Sequence, residues 1–192
     1  RIRWRRNPED WFVQAQDIVL NARDGRVQGD FELRLPNDKT ASPVLKLHAG
    51  ISDGDGSHTA RYIPLIVPDG LRAWLERAVV SGRVTDGSVL FHGALRNFPF
   101  RDGKGRFEVR AHVKDGVLDY LPDWAPLQDI DADLHFTGTG MLITSAHSKI
   151  RGLDAGRIAV AIEDFMAPGG AVVTANGRIA GRLQETLDVL AA

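Results

Sequence analysis

The chain has 192 residues, 43% of them hydrophobic and 26% charged, enough apolar material for a core and too much for a disordered segment. Its 24 Lys and Arg residues against 25 acids leave a net charge of -1, which excludes a generally basic nucleic-acid binder. With no cysteine, a disulfide scaffold, a thiolate nucleophile and any Cys-based metal site are excluded too.

The chain opens at Arg1, without Met and without a charged-then-apolar leader pattern, and reads as a piece of a longer protein. Arg1, Arg3, Arg5 and Arg6 make a basic face, as on a solvated strand. A strand is expected over about 11–20. In the next, Val27 to Leu35, the residues Val27, Gly29, Phe31, Leu33 and Leu35 share one face and Gln28, Asp30, Glu32 and Arg34 the other. Another strand follows at 44–50. Ser52 to Ser57 has a calcium-loop flavour but lacks the third ligand and the closing Glu, so a polar turn is the reading. No apolar run reaches the roughly 18–20 residues of a membrane-spanning helix; Tyr62 to Val67, among the longest, contains Pro64.

A helix is predicted over 69–80, capped by Asp69, with Leu71, Trp74, Leu75, Ala78 and Val79 on one stripe and Gly82 stopping it. Strands resume at 88–95, with Val89, Phe91 and Leu95 on the more apolar side. The run from Arg96 to Arg106 interleaves Arg96, Arg101, Lys104 and Arg106 with Phe98 and Phe100. It reads as a turn with its rings packed inward and Pro99 at an edge, or alternatively as cations facing phosphate. From Phe107, the set Phe107, Val109, Ala111 and Val113 opposes Glu108, Arg110, His112 and Lys114. From Asp129, the acids Asp129, Asp131 and Asp133 with His135 oppose Ile130, Ala132, Leu134 and Phe136. Further strands are expected at 140–146, 157–163 and 171–180, and a short second helix at 183–191 using Leu183, Leu187 and Leu190.

Punctuating these elements is one dipeptide: Asp-Gly begins at Asp24, Asp53, Asp55, Asp69, Asp86, Asp102 and Asp115, with Asn176-Gly177 besides. Asp and Asn tolerate positive φ and Gly adopts it freely, so tight hairpins are predicted at these points. The fold class is therefore mainly β, an antiparallel meander in which 1–62 and 82–180 supply strands around one helix, a single unit with weak internal repetition. Strand faces greatly outnumber helix to cover them. The apolar faces must pack on each other as a sandwich or be covered by something else.

Catalytic signatures are absent. The six histidines form no metal-binding helix pair, and no nucleophile elbow or phosphate-binding glycine loop occurs. The three alternate aspartates from Asp129 can be read as a hydrolase's carboxylates, but the simpler reading is the wet face of a strand. No cofactor and no metal site are expected.

One ordered series of short motifs points to a family: Asp53-Gly54-Asp55, Arg61-Tyr62-Ile63-Pro64, the helix Leu71 to Ala78, Gly82-Arg83-Val84, Gly93-Ala94-Leu95, Asn97 to Arg101, Val117 to Tyr120, Trp124, Asp133 to Phe136 and Arg151-Gly152. The series resembles the YhdP branch of the AsmA-like proteins, relatives of TamB. That resemblance implies an elongated, curved sheet forming a groove in a larger periplasmic protein anchored in the inner membrane. It implies phospholipid carried toward the outer membrane, a role in the envelope barrier, and envelope proteins as further partners. On this reading the groove-facing residues are Phe31, Leu33, Val89, Phe91, Phe107, Val109, Val113, Ile130, Leu134 and Phe136. Headgroup contacts fall to Arg96, Arg101, Lys104 and Arg106. The rivals are a closed sandwich serving as an interaction module and an envelope hydrolase.

Overall fold

The computed structural model describes residues 1–58 and 69–178. The Arg61 to Pro64 motif, the 62–67 run, the end of the strand expected at 171–180 and the second helix at 183–191 lie outside the described residues.

Alternation of apolar and polar residues produces what it predicts, one open antiparallel sheet of twelve strands. In chain order these are β1 Ile2–Arg6, β2 Asp10–Ala22, β3 Gly25–Pro36, β4 Val44–Ser52 and β5 Gly54–Asp55. Helix α1, Asp69–Ala78, follows. Then come β6 Val79–Ala94, β7 Arg106–Leu118, β8 Leu127–Thr137, β9 Gly140–Ile150, β10 Leu153–Asp154, β11 Ile158–Ile162 and β12 Val173–Asn176. Strand order is β1-β2-β3-β4-β6-β7-β8-β9-β11-β12, with β5 and β10 as short additions on β6 and β9. Every neighbour on the path is a chain neighbour once those two are set aside, a meander.

Helix α1 ends earlier than predicted. Val79 already pairs with Leu118, and Gly82 lies inside β6 at φ 153 instead of terminating the helix. Val79 and Val80 are β-branched and have a free ladder beside them, so strand wins over a last helical turn. The helix is docked by the Trp74 indole, which donates to the Tyr120 carbonyl at 3.2 Å, and by Arg77, which donates to the Asp119 carbonyl at 3.1 Å. Ala78 is fully buried there. The side chains of Asp69 and Leu71 fall outside what is described.

The Asp-Gly pairs do not all make hairpins. Arg23 and Asp24 form the two-residue β2–β3 turn, but Asp86-Gly87 and Asp115-Gly116 sit within β6 and β7. Five of the seven positive-φ residues other than glycine are aspartates, and Asp17, Asp115 and Asp129 occupy strands β2, β7 and β8 where pairing slips register. The chemistry is as predicted and its placement is not: the same tolerance of positive φ here makes bulges. Slips in β6 near Val84, in β7 near Asp115 and in β8 near Asp129 lie side by side. Aligned bulges bend adjacent strands together. True tight-turn chemistry appears at Arg151-Gly152, where both residues have positive φ (49 and 81) between β9 and β10.

Candidate functional site

Register shows how the strands assemble a continuous face. Ala15, Phe31, Leu47, Phe91 and Phe107 are cross-strand partners in one row. Ala49, Val89, Val109, Phe136, Met141 and Ile162 make a second, and Val27, Ile51, Gly87, Ala111, Leu134, Ile143 and Val160 a third. The third row crosses seven strands, from β3 to β11, and spans on the order of 30 Å at β spacing. These residues do not seal into a core. Of the ten groove candidates only Phe91 is buried, at 6% exposure, and Phe31, Leu33, Val89, Phe107, Val109, Val113, Ile130, Leu134 and Phe136 are half-buried. A cluster of buried residues, Ile150 and Ala155, is small and sits near β10.

At one end the chain covers part of its own wall. The turn after β6 brings Phe98 and Phe100 over the face, where Phe91 meets Phe98, Phe100 and Phe107 at ring-centroid distances of 6.3, 5.2 and 6.1 Å. The rings pack inward as the sequence indicates. Gly93 and Gly105 lie under Phe100: a methyl group on Gly93 would come within 2.6 Å of that ring, and Gly93 stands at φ 145. This turn is tied across the sheet end by Arg101, which donates to Asp164 at 2.7 Å.

Most cations expected at a headgroup rim have partners. Arg101 is held by Asp164, Lys104 lies 3.9 Å from Asp102, and Arg106 binds Glu108. Arg106 also projects from the face opposite Phe107, in the polar row of Gln14, Glu32, Lys46 and His92. Arg96 is exposed at the turn.

The polar face is a network of paired charges. Glu108 is buried among Arg106, Arg110 and His135, with His135 Nε2 at 2.9 Å. Hydrogen bonds from Arg106 and Arg110, reinforced by His135, outweigh burial and hold its carboxyl down to about 2. A carboxylate so held is a poor proton donor near neutral pH. Asp129 is lowered as well, by Lys149 at 2.8 Å. The Asp129 set does not stand in one line, because the bulge at Asp129 breaks it. Asp131 and Asp133 instead take His112 between them, at 3.3 Å from Nε2 and 2.9 Å from Nδ1. Alternation puts His112 and His135 on polar strand faces; only cross-strand register reveals their carboxylates.

A recess of about 350 Å³ is lined by Gln14, Asp30, Glu32, Lys46 and His48 together with Phe31, Leu47 and Phe91. Its walls satisfy one another, Gln14 donating to Glu32 at 3.0 Å and Lys46 pairing with Glu32 at 3.3 Å. In the Ser52 to Ser57 loop, Asp55 accepts from the Ser57 amide and hydroxyl, which uses the carboxylate internally. Among the described residues no group of three or more His, Asp or Glu is placed to hold a metal, and no helix is long and apolar enough to cross a membrane.

Comparisons with known proteins agree with the motif series. The chain is 27% identical over 166 residues to the "Intermembrane phospholipid transporter YhdP" of Escherichia coli (strain K12), covering 85% of this chain and 13% of that protein. It thus spans about an eighth of that relative's length. No solved structure matches. The family model described as YhdP protein matches residues 1–192, the whole sequence, and the chain belongs to the YhdP family.

Proposed function

We propose that this chain is a lipid-conducting section of a periplasmic protein anchored in the inner membrane, and that its apolar sheet face receives phospholipid acyl chains on the way to the outer membrane. The observation that carries the reading is the set of adjacent apolar rows on one side of an open sheet, the third crossing seven strands from β3 to β11, with nine of the ten groove candidates half-exposed. Soluble proteins rarely leave a contiguous apolar surface of that extent without a ligand or partner. The relative from Escherichia coli is named as a phospholipid transporter, which supports the choice of ligand.

The energetics suit transport. A buried methylene gains about 0.8 kcal/mol, and a chain lying against a single wall gains about half of that. A dozen methylenes then contribute on the order of 5 kcal/mol, enough to retain a chain but not to trap it. Such contact is non-directional, so neighbouring rows of Val, Leu, Ile and Phe offer similar energies. Half the hydrocarbon core of a bilayer is roughly 15 Å deep, so the wall accommodates a chain with room to advance. The protein binds and guides, and its carboxylates serve the polar face instead of hydrolysis.

The test is photo-crosslinking in the full-length protein. A reactive residue at Leu134, on the wall, is expected to capture phospholipid, and one at neighbouring Arg110, on the polar face, is not. Equal capture from both, or none from Leu134, contradicts the reading.

A further inference from the structure

We infer that the wall at β1–β2 holds the phosphate of a phospholipid headgroup, with Arg6 as its cation and the stacked indoles of Trp4 and Trp11 beneath the glycerol and first methylenes. This rests on the wall being a lipid surface and adds where the polar end of the lipid is gripped.

The register leaves Arg3 and Arg5 on the expected basic face but takes Arg6 off it, placing Arg6 with Trp4 and Trp11 on the apolar side. Arg6 pairs with Trp11 and Trp4 with Val13, and Val13 faces Leu33. The two indoles lie nearly parallel, ring centroids 6.0 Å apart at 22°. The Arg6 guanidinium stands 5.5 Å from the Trp11 ring centroid. Neither the aromatic surface nor the charge is spent within the chain. Trp4 is 70% and Trp11 36% exposed, and Arg6 has no carboxylate at ion-pair distance among the described residues. A guanidinium resting on an indole keeps its N–H donors free at its rim, and their fork matches two phosphate oxygens. Indoles favour the boundary between hydrocarbon and water, where their ring is apolar and their N–H is wet. Aromatic platform and unneutralised cation side by side call for a ligand split the same way, apolar then anionic.

The field at this corner has the same sign. On the other face of the same strands, Arg5 and Arg34 flank the Phe12 ring at 4.9 and 6.0 Å, again without carboxylate partners among the described residues. Arg101 and Arg106, by contrast, are neutralised by Asp164 and Glu108. Among the described residues, guanidinium groups without a carboxylate partner therefore gather at β1–β3.

The experiment uses full-length protein carrying a photo-reactive residue at Leu35, the cross-strand partner of Trp11, or at Leu134. Each is exposed to vesicles containing phosphatidylglycerol or diacylglycerol with identical chains. Leu35 is expected to capture phosphatidylglycerol about fivefold over diacylglycerol, the ratio one exposed charge-assisted contact supplies. Arg6→Gln should bring that ratio to parity and Arg6→Lys should keep part of it, both leaving capture at Leu134 unchanged. Trp11→Ala should reduce capture of both lipids at Leu35. Equal capture by the unsubstituted protein, a ratio unmoved by Arg6→Gln, or full phosphatidylglycerol capture without the indole overturns the headgroup site while capture at Leu134 keeps the wall. No capture at either position overturns both.

Discussion

Glu108 shows how single residues maintain the difference between the two faces. Its carboxylate is buried yet ionised because two guanidinium groups and an imidazole surround it. Its carboxyl is lowered from 4.5 to about 2 in the folded chain, so the folded state binds fewer protons between those values. The resulting stabilisation is present above about pH 4.5 and is lost as pH falls toward about 2. Denaturant unfolding of the chain across that window should show the loss, and Glu108→Gln should flatten the slope there. On the opposite face, Gly93→Ala should cost about 1–3 kcal/mol, because a Cβ meets Phe100 at a backbone φ that side chains resist. The same unfolding measurement checks it; an unchanged midpoint means that the Phe100 turn does not lie over the sheet.

Among the strands and turns, what the sequence makes legible is alternation. β3, β7 and β8 lie where their period-two patterns put them, because a strand with one apolar face has only one favourable orientation. Less legible is the role of aspartate. A positive φ serves a hairpin turn or a bulge equally well, and the local sequence around Asp115-Gly116 does not distinguish a strand that reverses from one that bends. Pairing with β6 and β8 decides it. Asp115→Val should therefore destabilise the chain by about 1–2 kcal/mol, and Asp115→Gly should be nearly neutral. Loss of the Arg83 pair contributes little to either variant, since both side chains are exposed. Comparing the two melting curves separates the backbone effect from the charge. The helix boundary escapes for a related reason: Val79 and Val80 fit either a helical stripe or a strand, and the ladder on β7 selects the strand.

For the whole molecule, the sequence reveals an excess of amphipathic strands over helix, and the sheet shows the outcome: ten strands in a path with a half-exposed apolar side. Phe31, Leu33, Val89 and Leu134 could be assigned to one face from alternation alone, but their alignment into rows needed the register, which no local pattern carries. The same holds for the polar side, where His135 reaches Glu108 from a strand 27 residues away. The Trp4, Trp11 and Arg6 group escaped because it straddles the β1–β2 turn and is assembled only by the pairing of those strands.

The central claim is that phospholipid occupies the wall, and it is tested most directly by placing charge there. In the full-length protein, Val109→Asp with Leu134→Asp should lower co-purifying phospholipid, counted by native mass spectrometry, by about tenfold or more, since a buried unpaired carboxylate opposes an acyl chain by several kcal/mol. Lys114→Glu, exposed on the other face, should leave the lipid count near that of the unsubstituted protein. Undiminished phospholipid on the doubly charged wall would contradict the account.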